Sequence, residues 1–181
     1  ANVYSSNNTI SNNRIQDFYV YGIYTYYQNG ISVLGNDISR PNRSTTSTFY
    51  GIYNLYSLGG TFVKNKIHNG FDKNPTTTST AYGLYVGSSP STANRPNLVY
   101  NNILYNFNTT GAIYGLYNSG NSNTDWYHNT AIFDHQATGT GAVYAVYFTG
   151  TGSNNDFKNN LVYVSRAGTG TKYGMYVRDR L

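Results

Sequence analysis

The sequence predicts an all-β fold, a right-handed parallel β-helix (β-solenoid) of about five coils of 29 to 32 residues. Three observations predict it. A tetrapeptide recurs six times, as Tyr21-Gly22-Ile23-Tyr24, Tyr50-Gly51-Ile52-Tyr53, Tyr82-Gly83-Leu84-Tyr85, Tyr114-Gly115-Leu116-Tyr117, Tyr144-Ala145-Val146-Tyr147 and Tyr173-Gly174-Met175-Tyr176. Self-similarity at such a period is the mark of a stacked repeat. Fifteen residues after the first Tyr of a copy stands an Asn, at Asn36, Asn65, Asn129 and Asn159, with Asn101 as the equivalent in the third copy and Asn13 in a leading partial coil. Around each Asn the apolar residues alternate with period two and show no 3.6-residue pattern, which is the strand signature.

Each coil divides in the same order. The YGIY segment is a first strand, and taking Ile23 and its equivalents as inward puts Tyr21, Tyr50, Tyr82, Tyr114, Tyr144 and Tyr173 inward too. Gly22 and Tyr24, with their equivalents, then point outward. A second strand surrounds the Asn, with Leu34, Val63, Val99, Tyr127 or Phe157 two residues before it and Ile15, Ile38, Ile67, Ile103, Ala131 or Leu161 two residues after. A bend leads to a short third strand. Loops rich in Ser, Thr and Gly return the chain at Arg40 to Thr48, Asp72 to Thr80, Asn106 to Gly111, Asp134 to Gly141 and Ala167 to Thr171, and Gly87 to Pro96 is an insertion in the third coil. Stacking would make the Asn residues a column whose amides donate to and accept from one another, satisfying a buried polar group without charge.

Composition fits such a stack. Charged residues are 10% of the chain and Glu is absent, whereas 17% aromatic residues supply the apolar area that a disordered segment lacks. With no cysteine there is no disulfide framework and no thiolate metal site. No run of 18 apolar residues suggests a membrane span, and Ala1 to Arg14 does not read as a signal peptide. The formal charge of +5 favours anionic partners such as acidic polysaccharide, but the Lys and Arg residues are too scattered for a nucleic-acid site. The whole chain, 1–181, reads as one domain without caps, which suggests a segment of a longer polypeptide or end-to-end stacking, because bare strand edges template further pairing.

Repeats of the form Gly22-Ile23…Asn36-Asp37-Ile38 resemble those of the pectin-lyase-like parallel β-helix superfamily over nearly the whole chain. That superfamily includes polysaccharide lyases, glycoside hydrolases, epimerases, tailspikes and non-catalytic surface proteins, so the resemblance implies a fold more than a function. The Thr/Asn/Tyr-rich style is similar to repeat segments of large secreted bacterial surface proteins, which implies an extracellular or cell-surface location.

The sharpest candidate site is the outward column Tyr24, Tyr53, Tyr85, Tyr117, Tyr147 and Tyr176. A sugar chain could lie along it with its C–H faces on the rings, because one coil rises by about the length of a pyranose unit. Against this stands mutual stacking that merely shields a sheet face. Catalytic chemistry has little to draw on. The only carboxylates are Asp17, Asp37, Asp72, Asp125, Asp134, Asp156 and Asp179, with no Asp-Asp or Asp-x-Asp pair, whereas glycoside hydrolysis generally needs two facing one substrate. Asn123-Thr124-Asp125 matches one element of polygalacturonases, whose other elements are missing. Lys64, Lys66 and His68 alternate along a strand and should share its outward face, with Asp37 and Arg14 in neighbouring coils completing a surface ladder. His128, Asp125, Asp134 and His135 are spread over a strand, a bend and a loop, which argues for a solvated surface rather than a metal site. The expectation is therefore a non-catalytic stalk or adhesive module with no cofactor, no metal and no catalytic residue, binding a polysaccharide or cell-surface glycan, with a polysaccharide lyase or glycoside hydrolase of the same fold as the alternative.

Overall fold

The computed structural model describes residues 3–136 and 138–179, so position 137 of the fourth return loop and the extremes of the expected 1–181 domain lie outside it. The described residues form strands, turns and loops with no helix, and hence none long and apolar enough to cross a membrane. Three six-stranded sheets carry the architecture. The first contains the YGIY segments: Tyr21–Tyr26, Phe49–Leu55, Ala81–Gly87, Ile113–Ser119, Val143–Gly150 and Lys172–Asp179. Strands preceding the Asn form the second sheet, Thr9–Ser11, Ser32–Leu34, Thr61–Val63, Asn97–Tyr100, Thr124–Tyr127 and Asp156–Lys158. Those following it form the third, Arg14–Gln16, Asp37–Ser39, Lys66–His68, Ile103–Tyr105, Thr130–Phe133 and Leu161–Val164. Every strand pairs in parallel with its counterpart one coil away, so Tyr21 lies beside Tyr50, Tyr50 beside Tyr82 and Tyr82 beside Tyr114. Parallel neighbours need a long crossover, and here the rest of the coil supplies it. The chain is thus a parallel β-solenoid of about five turns. A short extra pair, Ser5–Ser6 with Gln28–Asn29, widens its first corner.

Three inward columns fill the interior. They are Ile23, Ile52, Leu84, Leu116 and Val146 from the first sheet, Val33, Phe62, Val99 and Trp126 from the second, and Ile38, Ile67, Leu104 and Ala131 from the third, all buried. Ile10 and Phe157, Ile15 and Val162 extend the last two at their ends, packed against the core. On the return-loop side Phe18, Phe49, Phe107 and Phe133 form a fourth, aromatic column with successive centroids 5.3 Å apart.

The Asn ladder is present, but two of its members differ from the expected ones. Its residues are Asn13, Asn36, Asn65, Asn102, Asn129 and Asn160, and from Asn36 onward each oxygen accepts from both the backbone and the side-chain nitrogen of the Asn one coil before it. Asn101 and Asn159 instead occupy the bend immediately before the ladder, with Asn12, Gly35, Lys64 and His128, and all six have φ between 54° and 62°. Asn and Gly tolerate this left-handed conformation best, so an Asn-Asn pair divides the two tasks between its residues. The one-residue slip also reverses the facing of the next strand. Leu104 and Val162 point inward in place of the expected Ile103 and Leu161, which are 38% and 55% exposed.

The YGIY strand also departs from the expected unbroken alternation. Gly51 and Ile52 are both buried while Tyr50 and Tyr53 are both half-exposed, and the same order holds in the next two coils. Tyr21, Tyr50, Tyr82, Tyr114, Tyr144 and Tyr173 therefore lie on the outside with the second tyrosines. The pleat breaks at the glycine, which is missing from the residue-by-residue pairing in each coil. A Cβ on Gly51 would stand 2.3 Å from Ile67 Cγ2 and 2.7 Å from the Gly83 carbonyl oxygen, so the glycine lets the first sheet close onto the third.

The return loops lie where expected, and two arginines are buried beneath them. Arg40, 1% exposed, donates to the carbonyls of Gly70, Tyr19 and Ser47, and its guanidinium lies 4.4 Å from the Phe71 ring centre. Burial, with the nearby charge of Arg43, brings it down to about 10. Arg166 donates to the Gly111 carbonyl. Both serve packing, which their scatter along the chain did not reveal.

Candidate functional site

Register and the break at glycine place two tyrosine ladders side by side on the outer face of the first sheet. In the first ladder, the four contacts from Tyr50 to Tyr173 stack nearly parallel, with interplanar angles of 5° to 8° and centroids 4.5 to 5.0 Å apart. The second ladder is the expected column Tyr24, Tyr53, Tyr85, Tyr117, Tyr147 and Tyr176. It is outward as expected, but its contacts vary from 13° to 86°. These rings also rest on first-ladder rings of their own coil, as in Tyr50–Tyr53 at 4.7 Å and Tyr144–Tyr147 at 4.6 Å.

The rings consequently do not stand clear of the sheet, because the neighbouring ladder is not inside the solenoid. A ring covered above and below presents its edge and hydroxyl to solvent, not its face. Burial pushes the Tyr53 and Tyr82 phenols up to about 12, and neighbouring phenols add to the shift. The same causes, burial first, raise Tyr50, Tyr114, Tyr144 and Tyr147. These hydroxyls stay protonated at physiological pH and can donate as well as accept hydrogen bonds. The first five strands of the sheet carry no charged residue, and Lys172 and Arg178 lie in the last.

The basic constellation is only partly assembled. Asp37 sits in register between Arg14 and Lys66. Its carboxylate accepts from His68 Nε2 at 2.9 Å and lies 3.5 Å from Lys66 Nζ. Burial pushes the Asp37 carboxyl up, but the hydrogen bond and charge of His68, with Lys66, outweigh it and leave the group below its ordinary value. Lys64 is not on their strand, since it holds the left-handed bend. The four residues considered for a metal stay apart in role: His128 is at the bend, Asp125 on the second sheet, Asp134 and His135 in a return loop. Among the described residues no group of three or more His, Cys, Asp or Glu side chains could hold a metal ion.

One pair of carboxylates lies far apart in sequence and close in space. Asp125 and Asp156 are 31 residues apart, about one coil, and pair directly across neighbouring strands. Tyr127 donates to Asp156 at 2.9 Å, and Lys158 forms an ion pair with the same carboxylate. Burial, then the charge of Asp156, raises the Asp125 carboxyl, whereas hydrogen bonding from Lys158 holds Asp156 below its ordinary value. Asp125, Tyr127 and Asp156 line a cleft of about 440 Å³ with Asn123, Asn154 and Asn155, walled on one side by Ala93 and Pro96 of the inserted loop. Counting by coil instead of by motif would have found the pair.

Comparison with family models, curated proteins and solved structures gives no match for this chain.

Proposed function

We propose that the protein is a non-catalytic, extracellular or cell-surface β-solenoid module, a stalk or adhesin of the pectin-lyase-like kind, that holds a polysaccharide along its tyrosine face. The observation carrying this reading is the double ladder. Twelve tyrosines repeat at the coil spacing on one largely uncharged sheet, and a glycan of similar repeat could meet the same polar edge at each rung. Because the first ladder covers its own ring faces, contact would be made through hydroxyls and ring edges of Tyr24, Tyr53, Tyr85, Tyr117, Tyr147 and Tyr176. Each contact is weak, and affinity would come from their number.

A glycan array tests this. The double variant Tyr85→Ala/Tyr117→Ala should lower apparent affinity for long chains by at least about tenfold, since multivalent gains of that order or more are lost when rungs are removed. Tyr85→Phe/Tyr117→Phe should lose most of the same affinity if hydroxyls make the contact. Unchanged binding in the alanine variant removes the tyrosine face as the site.

A second reading, a polysaccharide lyase or glycoside hydrolase, is favoured by one observation, the Asp125–Asp156 pair. Two carboxyls pushed in opposite directions at one cleft divide naturally into an acid and a base. Release of reducing ends from polysaccharide, abolished by Asp125→Asn and unaffected by Tyr85→Ala/Tyr117→Ala, would favour this reading over the first.

A further inference from the structure

The two tyrosine ladders bring oxidisable side chains of successive coils into van der Waals contact, and the geometry points to them as a site of oxidative cross-linking that staples one coil to the next. The chain has no cysteine, its one tryptophan is fully buried and its one methionine lies in the last strand of the sheet, so phenols dominate the accessible one-electron chemistry. A biaryl bond joins ring edges, and the second ladder already turns edges toward neighbours. Tyr53 and Tyr85 are 4.6 Å apart at 38°, Tyr85 and Tyr117 4.7 Å at 68°, and Tyr117 and Tyr147 4.8 Å at 86°. Each pair is also in direct strand register, so neither backbone needs to move far for the rings to meet.

The reaction needs a small one-electron oxidant. Each of two phenols gives one electron to it and one proton to solvent. The resulting phenoxyl radicals combine by a carbon–carbon bond between their ortho positions, and the two ortho hydrogens move to oxygen to restore both phenols. The product is two hydrogens lighter than the two tyrosines, and two equivalents of oxidant are reduced. A link from Tyr53 to Tyr85 closes a loop of about one coil, doing for this cysteine-free chain what a disulfide does elsewhere.

The test is brief photo-oxidation of the dilute protein with tris(bipyridyl)ruthenium and persulfate, followed by peptide mass spectrometry. Expected products are intramolecular peptides joining Tyr53 to Tyr85, Tyr85 to Tyr117 and Tyr117 to Tyr147. Tyr85→Phe, which keeps the ring stack, should remove the first two and leave the third. Tyr117→Phe should remove the last two and leave the first, and it serves if the other variant folds poorly. Links confined to single coils, to tyrosines outside the ladders such as the more exposed Tyr19 and Tyr163, or to different chains in a concentration-dependent way would overturn the inference. An undiminished yield of the peptide pair carrying positions 85 and 117 in both variants would do the same.

Discussion

The side chain of Asn65 has every polar atom committed. Its oxygen accepts from the backbone and side-chain nitrogens of Asn36, while its nitrogen donates to the Val33 carbonyl and to Asn102. No other residue type supplies both a neutral acceptor and two donors at this length. Asn65→Leu should destabilise the fold by more than about 3 kcal/mol, because each buried group left unpaired costs about 1–3 kcal/mol. Asn65→Asp keeps the acceptor but sets its second oxygen against two acceptors, so denaturant unfolding should show a larger loss at pH 7 than at pH 3. Asp125 is a natural carboxyl of the same kind, so its removal works in the opposite direction. Its carboxyl is raised in the fold, so ionisation opposes folding above that raised value and has no effect below the unfolded value near 3.8. Asp125→Asn should therefore raise the thermal midpoint at pH 7 and leave it nearly unchanged at pH 3.

At the scale of the strand, the first sheet shows how one small residue reorganises a surface. Gly83 lies where a Cβ would be 2.3 Å from Leu104 Cδ2 and 2.8 Å from the Gly115 carbonyl oxygen. Gly83→Ala should cost about 1–3 kcal/mol through overpacking. Combined with Leu104→Ala, its penalty should be smaller than the sum of the separate ones, since the two share the same space. Urea unfolding of the four proteins in the cycle measures this, and strict additivity would show that the strand adjusts elsewhere. Because the break recurs in register, no strand loses its partners to it, and the tyrosines on both sides face solvent. Two adjacent ladders with covered ring faces follow from this, and so does recognition by edges and hydroxyls.

The whole molecule is a one-dimensional stack in which a coil touches mainly its two neighbours, so stability should be close to a sum of coil and interface contributions. Deleting residues 81–112 removes one complete turn and joins Thr80 to Ile113, the register equivalent of Ala81. The shortened chain should fold with an unchanged circular dichroism shape, and its denaturant slope should fall in proportion to the surface lost. Deleting half as many residues should abolish cooperative unfolding, because every column would then change faces. Neighbouring phenylalanines and the buried Arg40 and Arg166 tie the return loops to the same stack, so loop and strand are expected to unfold together.

The sequence by itself determined the repeat, its length, the parallel stacking of like residues, the position of the return loops and the existence of an asparagine ladder. These follow from a period that is printed six times over in Tyr-Gly-Ile-Tyr and its variants. It also placed the second tyrosine of each copy on the outside. Only the tertiary structure decided which Asn of a pair joins the ladder, as at Asn101-Asn102 and Asn159-Asn160, because loop lengths vary from coil to coil and a left-handed bend looks the same as a ladder position in one dimension. Only it could show that both tyrosines of a copy are outside, since the contact between Gly51 and Ile67 that breaks the pleat joins different sheets. The Asp125–Asp156 cleft lay hidden for the same reason: adjacency in a solenoid is set by the turn of the coil, and neighbours in space are a full repeat apart in the chain.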